Sequence, residues 1–359
     1  MVATTKTEVG GPQWLIVDEA THFRLWGTDT VFPFPRGGDE CIIGSADGCW
    51  LKLQDVKDRV SRQHVQLSHD KGRWIASDLQ SKNGLYEDGS RRAAVHLAPG
   101  VELGVGGFTL IAESPMLTAL REVLARLIGW SEERRQSVDL AMRSVRIAAA
   151  RRDSLQLCGD GDLVSVARFL HRRTLGDARP FIVCDPRRRR SDPSARSAPN
   201  YDSGIEAFAA AAGGTLCVWE SRQPEDFDHV LAAWRKPDSR VQLVVCTHVL
   251  QPSDPLLAST VELPPLGERA DELGRIIDAY GADATAEFGA PLTLVDREWV
   301  FGHAANTLAN IEKATRRLVA LRRTDGQVTP AATLLGMTYS ALSEWIARRT
   351  FEYQDDGDN

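Results

Sequence analysis

The sequence lacks a CxxC pair, although it contains six cysteines among its 359 residues. Most of these cysteines lie in apolar runs, as small buried side chains do in a reducing compartment, so neither a disulfide framework nor a zinc site is expected. No apolar run approaches the roughly 20 residues that span a bilayer, and the first residues, MVATTKTEVGG, contain no signal-peptide core. We therefore expect a cytoplasmic protein that makes no membrane contact.

An excess of positive charge is also absent, because the formal net charge is −6. This excludes a generally basic coat for nucleic acid, although charge can still be segregated by domain. The last fifty residues do contain several arginines. A length of 359 residues predicts two or three folding units.

The N-terminal third, residues 13–113, consists of short alternating runs such as ECIIG, HVQLSH and FTLIAE. Gly, Asp, Asn and Pro separate these runs, a pattern that predicts a β-sandwich or barrel. Three segments then follow in order: IIGS at 42–45, RVSRQH at 59–64 and SDLQSKNGLYEDG at 77–89. The order resembles the forkhead-associated (FHA) family, whose pattern is IGR, then SRxH, then D-L-x-S-x-N-G.

The resemblance implies a site for a phosphothreonine peptide on loops at one end of the sandwich. A phosphate dianion needs hydroxyl, N–H and guanidinium donors that converge from a rigid scaffold. By the resemblance, Ser61 and Arg62 would hold phosphate oxygens, and Asn83 would bind the peptide backbone with Lys82 beside it. The residues that would brace these loops are Gly44, His64 and Gly84.

One departure from the FHA pattern concerns the phosphate itself. Ser45 stands where the family has the arginine of IGR, and the loss of a charged hydrogen bond can cost roughly 1.5–3 kcal/mol. Two interpretations stay open. Lys57, Arg59 or Lys82 compensates from a neighbouring loop, or the sandwich binds partners without any phosphate.

The middle of the chain begins with two stretches of helical periodicity over 115–151. Apolar strands such as SLQLCG, PFIVCD, GTLCVWE and VQLVVCT then alternate with helical runs, which predicts a parallel sheet covered on both faces. Over 150–322 the segments occur in the order of the AAA+ module of NtrC-type, sigma-54 enhancer-binding activators, which the chain resembles.

The parts of that module that bind nucleotide are altered in this sequence. By the resemblance, Leu163 replaces the phosphate-loop lysine, and Asp160 and Asp162 add negative charge that would repel phosphate. The sigma-contact motif of the family is also missing. We therefore expect no cofactor and no catalysis at the degenerate site, whose positions are Gly159, Leu163, Trp219, Glu220 and Asn306.

The C-terminal segment VTPAATLLGMTYSALSEWIARR resembles the Fis-type helix-turn-helix that closes NtrC-type regulators. The resemblance implies a homodimer on double-stranded DNA, with Arg322, Arg323 and Arg349 near phosphates. Upstream, Arg269 and Asp271 in LPPLGERADEL are interpreted as a structural ion pair or a helix start. The residues expected to face the groove are Tyr339, Ser340, Ser343 and Arg348.

Together these patterns predict a non-enzymatic, multidomain regulator that binds a threonine-phosphorylated partner from a Ser/Thr kinase pathway and binds DNA. One alternative is an FHA adaptor without DNA binding. Another is an active, ATP-dependent sigma-54 activator. The predicted units are an FHA β-sandwich at 13–113, a helical linker at 114–153, an α/β AAA+-like domain at 154–255, a helical lid at 256–322 and an all-α helix-turn-helix at 326–350.

Overall fold

The computed structural model describes residues 18–35, 41–191, 198–249 and 259–355. The predicted strand at 13–17 and the predicted boundary near 255 lie outside these residues. Among the described residues, no helix combines the length and the apolarity that a membrane span requires. All six cysteines carry free thiols.

The N-terminal part is a sandwich of two sheets, with strand orders β2-β1-β11-β10-β7-β8 and β4-β3-β5-β6-β9. Every strand pair in these sheets is antiparallel except β3 with β4. The predicted all-β sandwich is therefore confirmed. Its strands are β1 His22–Leu25, β2 Val31–Pro33, β3 Cys41–Gly44, β4 Leu51–Lys52, β5 Val65–Asp70, β6 Arg73–Asp78, β7 Leu85–Glu87, β8 Ser90–Arg92, β9 Ala94–His96, β10 Glu102–Val105 and β11 Phe108–Glu113.

The core of the sandwich follows from the alternation of side chains along each strand. In β5, Val65 and Leu67 are fully buried while Gln66 and Ser68 are only partly covered, as expected when one face of a strand points inward. Buried residues of both sheets form one apolar cluster. This core holds the loops at the end of the sandwich where β3, β6 and the segment before β5 come together.

Two helices leave the sandwich, as the periodicity over 115–151 predicted: α1 Pro115–Ile128 and α2 Arg135–Arg151. Ser114 caps α1 by accepting the N–H of Leu117, and proline occupies the first turn, where its missing N–H costs nothing. Arg152, in the left-handed conformation, ends α2.

A buried ion cluster joins α2 to the sandwich. Arg24 on β1 is 1% exposed; its Nε donates to Glu113 at 2.8 Å, and its Nη2 donates to Asp139 of α2 at 2.6 Å. Asp139 also accepts the N–H of Gly27 at 2.7 Å. Burial alone would raise the pKa of Glu113, but hydrogen bonds and charge from His22 and Arg24 outweigh it and lower that pKa. Glu113 and Arg24 therefore stay charged inside the protein.

The middle of the chain forms the predicted parallel sheet, in the order β14-β13-β15-β16-β12-β17. The sequence did not indicate β14 or β17, because each offers only two to four residues of pattern. The elements are β12 Leu155–Gly159, α3 Leu163–Thr174, β13 Phe181–Cys184, β14 Asn200–Tyr201, α4 Gly204–Ala210, β15 Thr215–Trp219, α5 Phe227–Trp234, β16 Gln242–Thr247 and β17 Thr260–Leu263.

Helices make up the rest of the chain. A 3₁₀ segment, Leu266–Glu272, leads into them, in agreement with the interpretation of this stretch as a helix start. The alternative of an ion pair with Asp271 is wrong, because the buried Arg269 pairs with Glu272. Its guanidinium also donates to the carbonyls of Arg126 and Leu127 at the end of α1. The helices are α6 Leu273–Phe288, α7 Leu294–His303, α8 Leu308–Arg323, α9 Val328–Leu335 and α10 Tyr339–Asp355.

Asp296 of α7 organises the arginines that the sequence placed near DNA. Its buried carboxylate accepts from Arg322 at 3.0 Å and from Arg349 at 3.2 Å. Burial would raise the pKa of Asp296, but the hydrogen bonds from Arg322 and Thr293 lower it. Arg322 and Arg349 therefore serve the packing of the helices, because each already faces an anion.

We predict that Asp139→Asn lowers the free energy of unfolding by about 3–5 kcal/mol, because it leaves the buried Arg24 charge partly uncompensated. Urea unfolding followed by circular dichroism measures this change. The control is Asp283→Asn, which removes the surface ion pair with Arg126 and should cost less than about 1 kcal/mol. Equal losses in the two variants would contradict the assigned role of the buried cluster.

Candidate functional site

Three loops meet at one end of the sandwich, and Gly44 sets their spacing. The N–H of Ser45 donates to the carbonyl of Ser61 at 3.0 Å, and the N–H of Ala46 donates to that of Arg62 at 3.2 Å. A Cβ at position 44 would overlap the carbonyl oxygen of Arg62. Only glycine therefore allows this close approach of two backbones.

His64 connects the segment around Ser61 to the loop after β6. Its imidazole is fully buried; Nδ1 accepts the N–H of Ser61 at 3.0 Å, and Nε2 donates to the carbonyl of Gly84 at 3.1 Å. Since a backbone N–H faces Nδ1, the proton of the neutral ring must be on Nε2. The predicted bracing position of His64 matches these contacts.

The loop after β6 is closed by its own polar side chains. Asp78 accepts the hydroxyl of Ser81 at 2.5 Å, and that hydroxyl oxygen accepts the N–H of Gly84 at 2.9 Å. Gly84 has φ +81, which its lack of a Cβ permits. The loop therefore has a fixed shape before any partner binds.

Asn83 connects this loop to the segment before β5. Its Nδ2 donates to the carbonyl of Arg59 at 2.7 Å. Arg59 is in turn paired with Asp55, whose pKa falls to about 2 because the guanidinium donates to its carboxylate. Arg59 is thus already neutralised, and of the compensating cations that the sequence offered it is the least available for an anion.

Arg62 and Lys82 are two unpaired cations at this end of the sandwich. Both side chains are exposed, and neither forms an ion pair or side-chain hydrogen bond with any residue that the structure describes. The backbone N–H of Lys82 donates to the hydroxyl oxygen of Ser61 at 3.0 Å. This bond places Ser61, Arg62 and Lys82 together on one rim, as the sequence predicted. Ser45 lies beside them through its own bond to Ser61.

Arg91 belongs to the same rim, although the sequence reasoning did not single it out. A Cβ on Gly84 would lie 2.5 Å from the Nε of Arg91, so the guanidinium covers the outer face of Gly84. Arg91 lies on β8, seven positions along the chain, and comes back to the loop only because β7 and β8 pair. The two adjacent arginines of SRR, directly after the EDG turn, were the one sequence feature that could have indicated an anion-binding residue here.

The second candidate region is the carboxyl edge of the parallel sheet, where β12 lies between β16 and β17. Ligands of parallel sheets bind at such places, where the strand order reverses. Here Asp162 caps α3: its carboxylate accepts the N–H of Ser165 at 3.2 Å and its hydroxyl at 2.7 Å. Lys313 of α8 lies 3.7 Å from the same carboxylate. A side-chain anion thus occupies the helix terminus where a phosphate would bind.

The other positions that the sequence assigned to a degenerate nucleotide site take part in packing and side-chain contacts. Leu163 is fully buried in the core, and Glu220 accepts the hydroxyl of Thr247 at 2.5 Å. Trp219 contacts the ring of His248 with centroids 4.9 Å apart, and Asn306 bonds to Asn310 at 2.7 Å. Gly159 ends β12 with φ +149, beside the carbonyl of Leu263.

The third region is the pair α9 and α10, joined by a turn at Gly336 in the left-handed conformation. Tyr339 is 56% exposed, and Ser340 and Ser343 lie on the same side of α10. Arg348 lies about 180° around the helix from Tyr339. It is 3.8 Å from Glu344, so its charge is shared with an acidic neighbour.

Comparisons with known proteins concern the sandwich. The sequence model of the family described as "Inner membrane component of T3SS, cytoplasmic domain" matches residues 25–114. Among the curated proteins, none matches the chain. The family match covers about a quarter of the sequence, so it applies to this part alone.

Several solved FHA domains are similar to the chain. The FHA domain of FhaA, crystallised with the intracellular domain of a second protein, is 24% identical and covers 25% of this chain and 96% of its own, with TM-score 0.23. EmbR of Mycobacterium tuberculosis, in complex with a low affinity phosphopeptide, is 22% identical, covering 26% of this chain and 24% of its own, with TM-score 0.23. An FHA domain from Chlamydia trachomatis is 21% identical, covering 25% and 92%, with TM-score 0.23. The likeness concerns the fold of the sandwich.

Proposed function

We propose that this protein is a signalling regulator whose sandwich is an FHA domain that binds a threonine-phosphorylated partner. The observation that carries the proposal is the bond between the hydroxyl of Ser61 and the N–H of Lys82. It gathers the unpaired cations Arg62 and Lys82 on one rim of a rigid scaffold. The alternative, in which the sandwich binds partners without phosphate, does not explain why these two unpaired cations lie together.

The chemistry of a phosphothreonine dianion fits the rim. The phosphate oxygens accept hydrogen bonds from guanidinium and ammonium groups, and charge-assisted bonds of this kind are roughly twice as strong as neutral ones. The hydroxyl of Ser45 and that of Ser61 are further donors beside them. The loops are already fixed by His64, Ser81 and Asn83, so a peptide would bind with little ordering cost.

For the middle of the chain we propose an AAA+-like body that works without nucleotide. Its support is the Asp162 carboxylate at the N-cap of α3, together with the buried side chain of Leu163. A nucleotide phosphate would meet the carboxylate at the place where it needs a cation. The body would then act as a scaffold, and the protein would have no catalytic activity.

For the C-terminus we propose that α9 and α10 bind double-stranded DNA as a helix-turn-helix. The exposed side chains of Tyr339 and Ser340 and the tight turn at Gly336 support this function. Because Arg322 and Arg349 form ion pairs with Asp296, fewer cations are left to contact the phosphates of the DNA backbone. If DNA is not bound, the protein is an FHA adaptor whose sheet and helices make protein contacts.

We predict that a phosphothreonine peptide library binds the full chain in preference to its unphosphorylated counterpart. The double variant Arg62→Ala, Lys82→Ala should weaken selected peptides about a hundredfold or more, since it removes two charged contacts and keeps the Asn83–Arg59 bond that braces the loop. Fluorescence anisotropy measures both. Arg73→Ala, an exposed cation at the other end of β6, is the matched control. No preference for phosphorylated peptides would overturn the proposed function.

We predict that Mg-ATP leaves the thermal midpoint of the full chain unchanged. A ligand at a hundred times its Kd would stabilise the fold by about 2.7 kcal/mol, which a thermal scan resolves easily. A selected phosphopeptide, in the same experiment, should raise the midpoint and serves as the positive control. A saturable rise with ATP would show that the region around Asp162 still binds nucleotide.

We predict that duplex DNA binding responds differently to substitutions on opposite sides of α10. Tyr339→Ala, on the exposed side of α10, should weaken binding several-fold, whereas Arg348→Ala, about 180° around the helix, should change it less than about twofold. Electrophoretic or anisotropy titrations at several salt concentrations test this. Unchanged binding in both variants would place the DNA contact elsewhere or favour the adaptor.

A further inference from the structure

We propose that Arg91 supplies the guanidinium that contacts the phosphate, in place of the arginine that Ser45 replaces. The inference rests on the proposed phosphothreonine function and names a further residue of the same site. In this arrangement the guanidinium comes from the β7–β8 hairpin rather than from the end of β3.

The register of the hairpin directs Arg91 toward the rim. Arg91 is paired with Tyr86, and side chains alternate along a strand, so Arg91, Tyr86 and Gly84 share the outward face. The Arg91 side chain then extends back over Gly84, where a Cβ would lie 2.5 Å from Nε and 3.1 Å from Nη2. The guanidinium thus lies against the backbone of the Asn83-Gly84 turn.

The polar groups of Gly84 are already used inside the sandwich. Its N–H donates to Ser81 and its carbonyl accepts from His64, so the loop does not need Arg91 for its own hydrogen bonds. Two positions earlier, the N–H of Lys82 holds the hydroxyl of Ser61. Arg91 is therefore next to the rim residues without being part of the network that braces them.

The charge of Arg91 is free to bind an anion. The side chain is exposed and has no ion pair or hydrogen bond with any described residue. Its neighbour Arg92, on the same strand, is paired with Glu87 at 3.1 Å. A guanidinium presents two parallel N–H donors that match two phosphate oxygens, whereas an ammonium such as that of Lys82 acts as a point charge. Of the two adjacent arginines, only Arg91 has its charge uncompensated beside the loop.

The matched pair Arg91→Gln and Arg92→Gln tests this assignment in the full chain. Each variant removes one guanidinium from the same edge strand, and circular dichroism melts compare their folds with the wild type. With a phosphothreonine peptide selected on the wild type, Arg91→Gln should weaken binding roughly ten- to hundredfold, whereas Arg92→Gln should leave it within about twofold. The affinity of Arg91→Lys for this peptide should lie between those of the wild type and Arg91→Gln, because lysine keeps the positive charge and loses the two parallel N–H donors of the guanidinium.

The unphosphorylated peptide separates a phosphate contact from a general one. Arg91→Gln should not change the weak binding of that peptide; equal losses for both peptides would assign Arg91 to the peptide chain and overturn the inference. Phosphate-dependent binding that is the same in Arg91→Gln and Arg92→Gln would overturn it too, while the proposed function would stand. A wild type without phosphate preference would instead remove the proposed function itself.

Discussion

The buried imidazole of His64 is the constraint on which the rim depends. One ring nitrogen holds the N–H of Ser61 and the other holds the carbonyl of Gly84, so the two loops that carry the predicted contact residues are spaced by a single rigid ring. Two further features help to fix the positions of these loops. Gly44 allows the close approach of its backbone to that of Arg62, and the bond between Asp78 and Ser81 closes the loop after β6. An anion would therefore meet donors that are already in position, and the side chains of Arg62, Lys82 and Arg91 are the groups still able to adjust to it.

The parallel sheet differs from the rim in the charge that its loop carries at the N-terminus of α3. There the anion belongs to the chain: the carboxylate of Asp162 receives the N–H and hydroxyl of Ser165, and Lys313 approaches from α8. Asp162 and Lys313 therefore connect the first residues of α3 to α8.

Most of the architecture could be predicted from the sequence, because alternating and helical periodicities are local. The sandwich, the helices over 115–151 and the parallel sheet all came from such patterns, whereas β14 and β17 are too short to show one. The sequence motif indicated Ser61, Arg62 and Lys82 as site residues, and the fold brings these three rim residues close together. Arg91 was missed because only strand pairing brings it to Gly84. Arg269 was assigned the wrong partner for a similar reason, since Glu272 rather than Asp271 is on its side of the turn.

The ion cluster of Arg24, Glu113 and Asp139 has a mechanical consequence. Because Asp139 lies on α2, and α2 leads directly into β12, the sandwich is attached to its neighbour by buried charge as well as by the chain. Glu102 of β10 and Arg143 of the same helix form a second attachment. A partner bound at the rim would therefore be held in a fixed orientation relative to the parallel sheet.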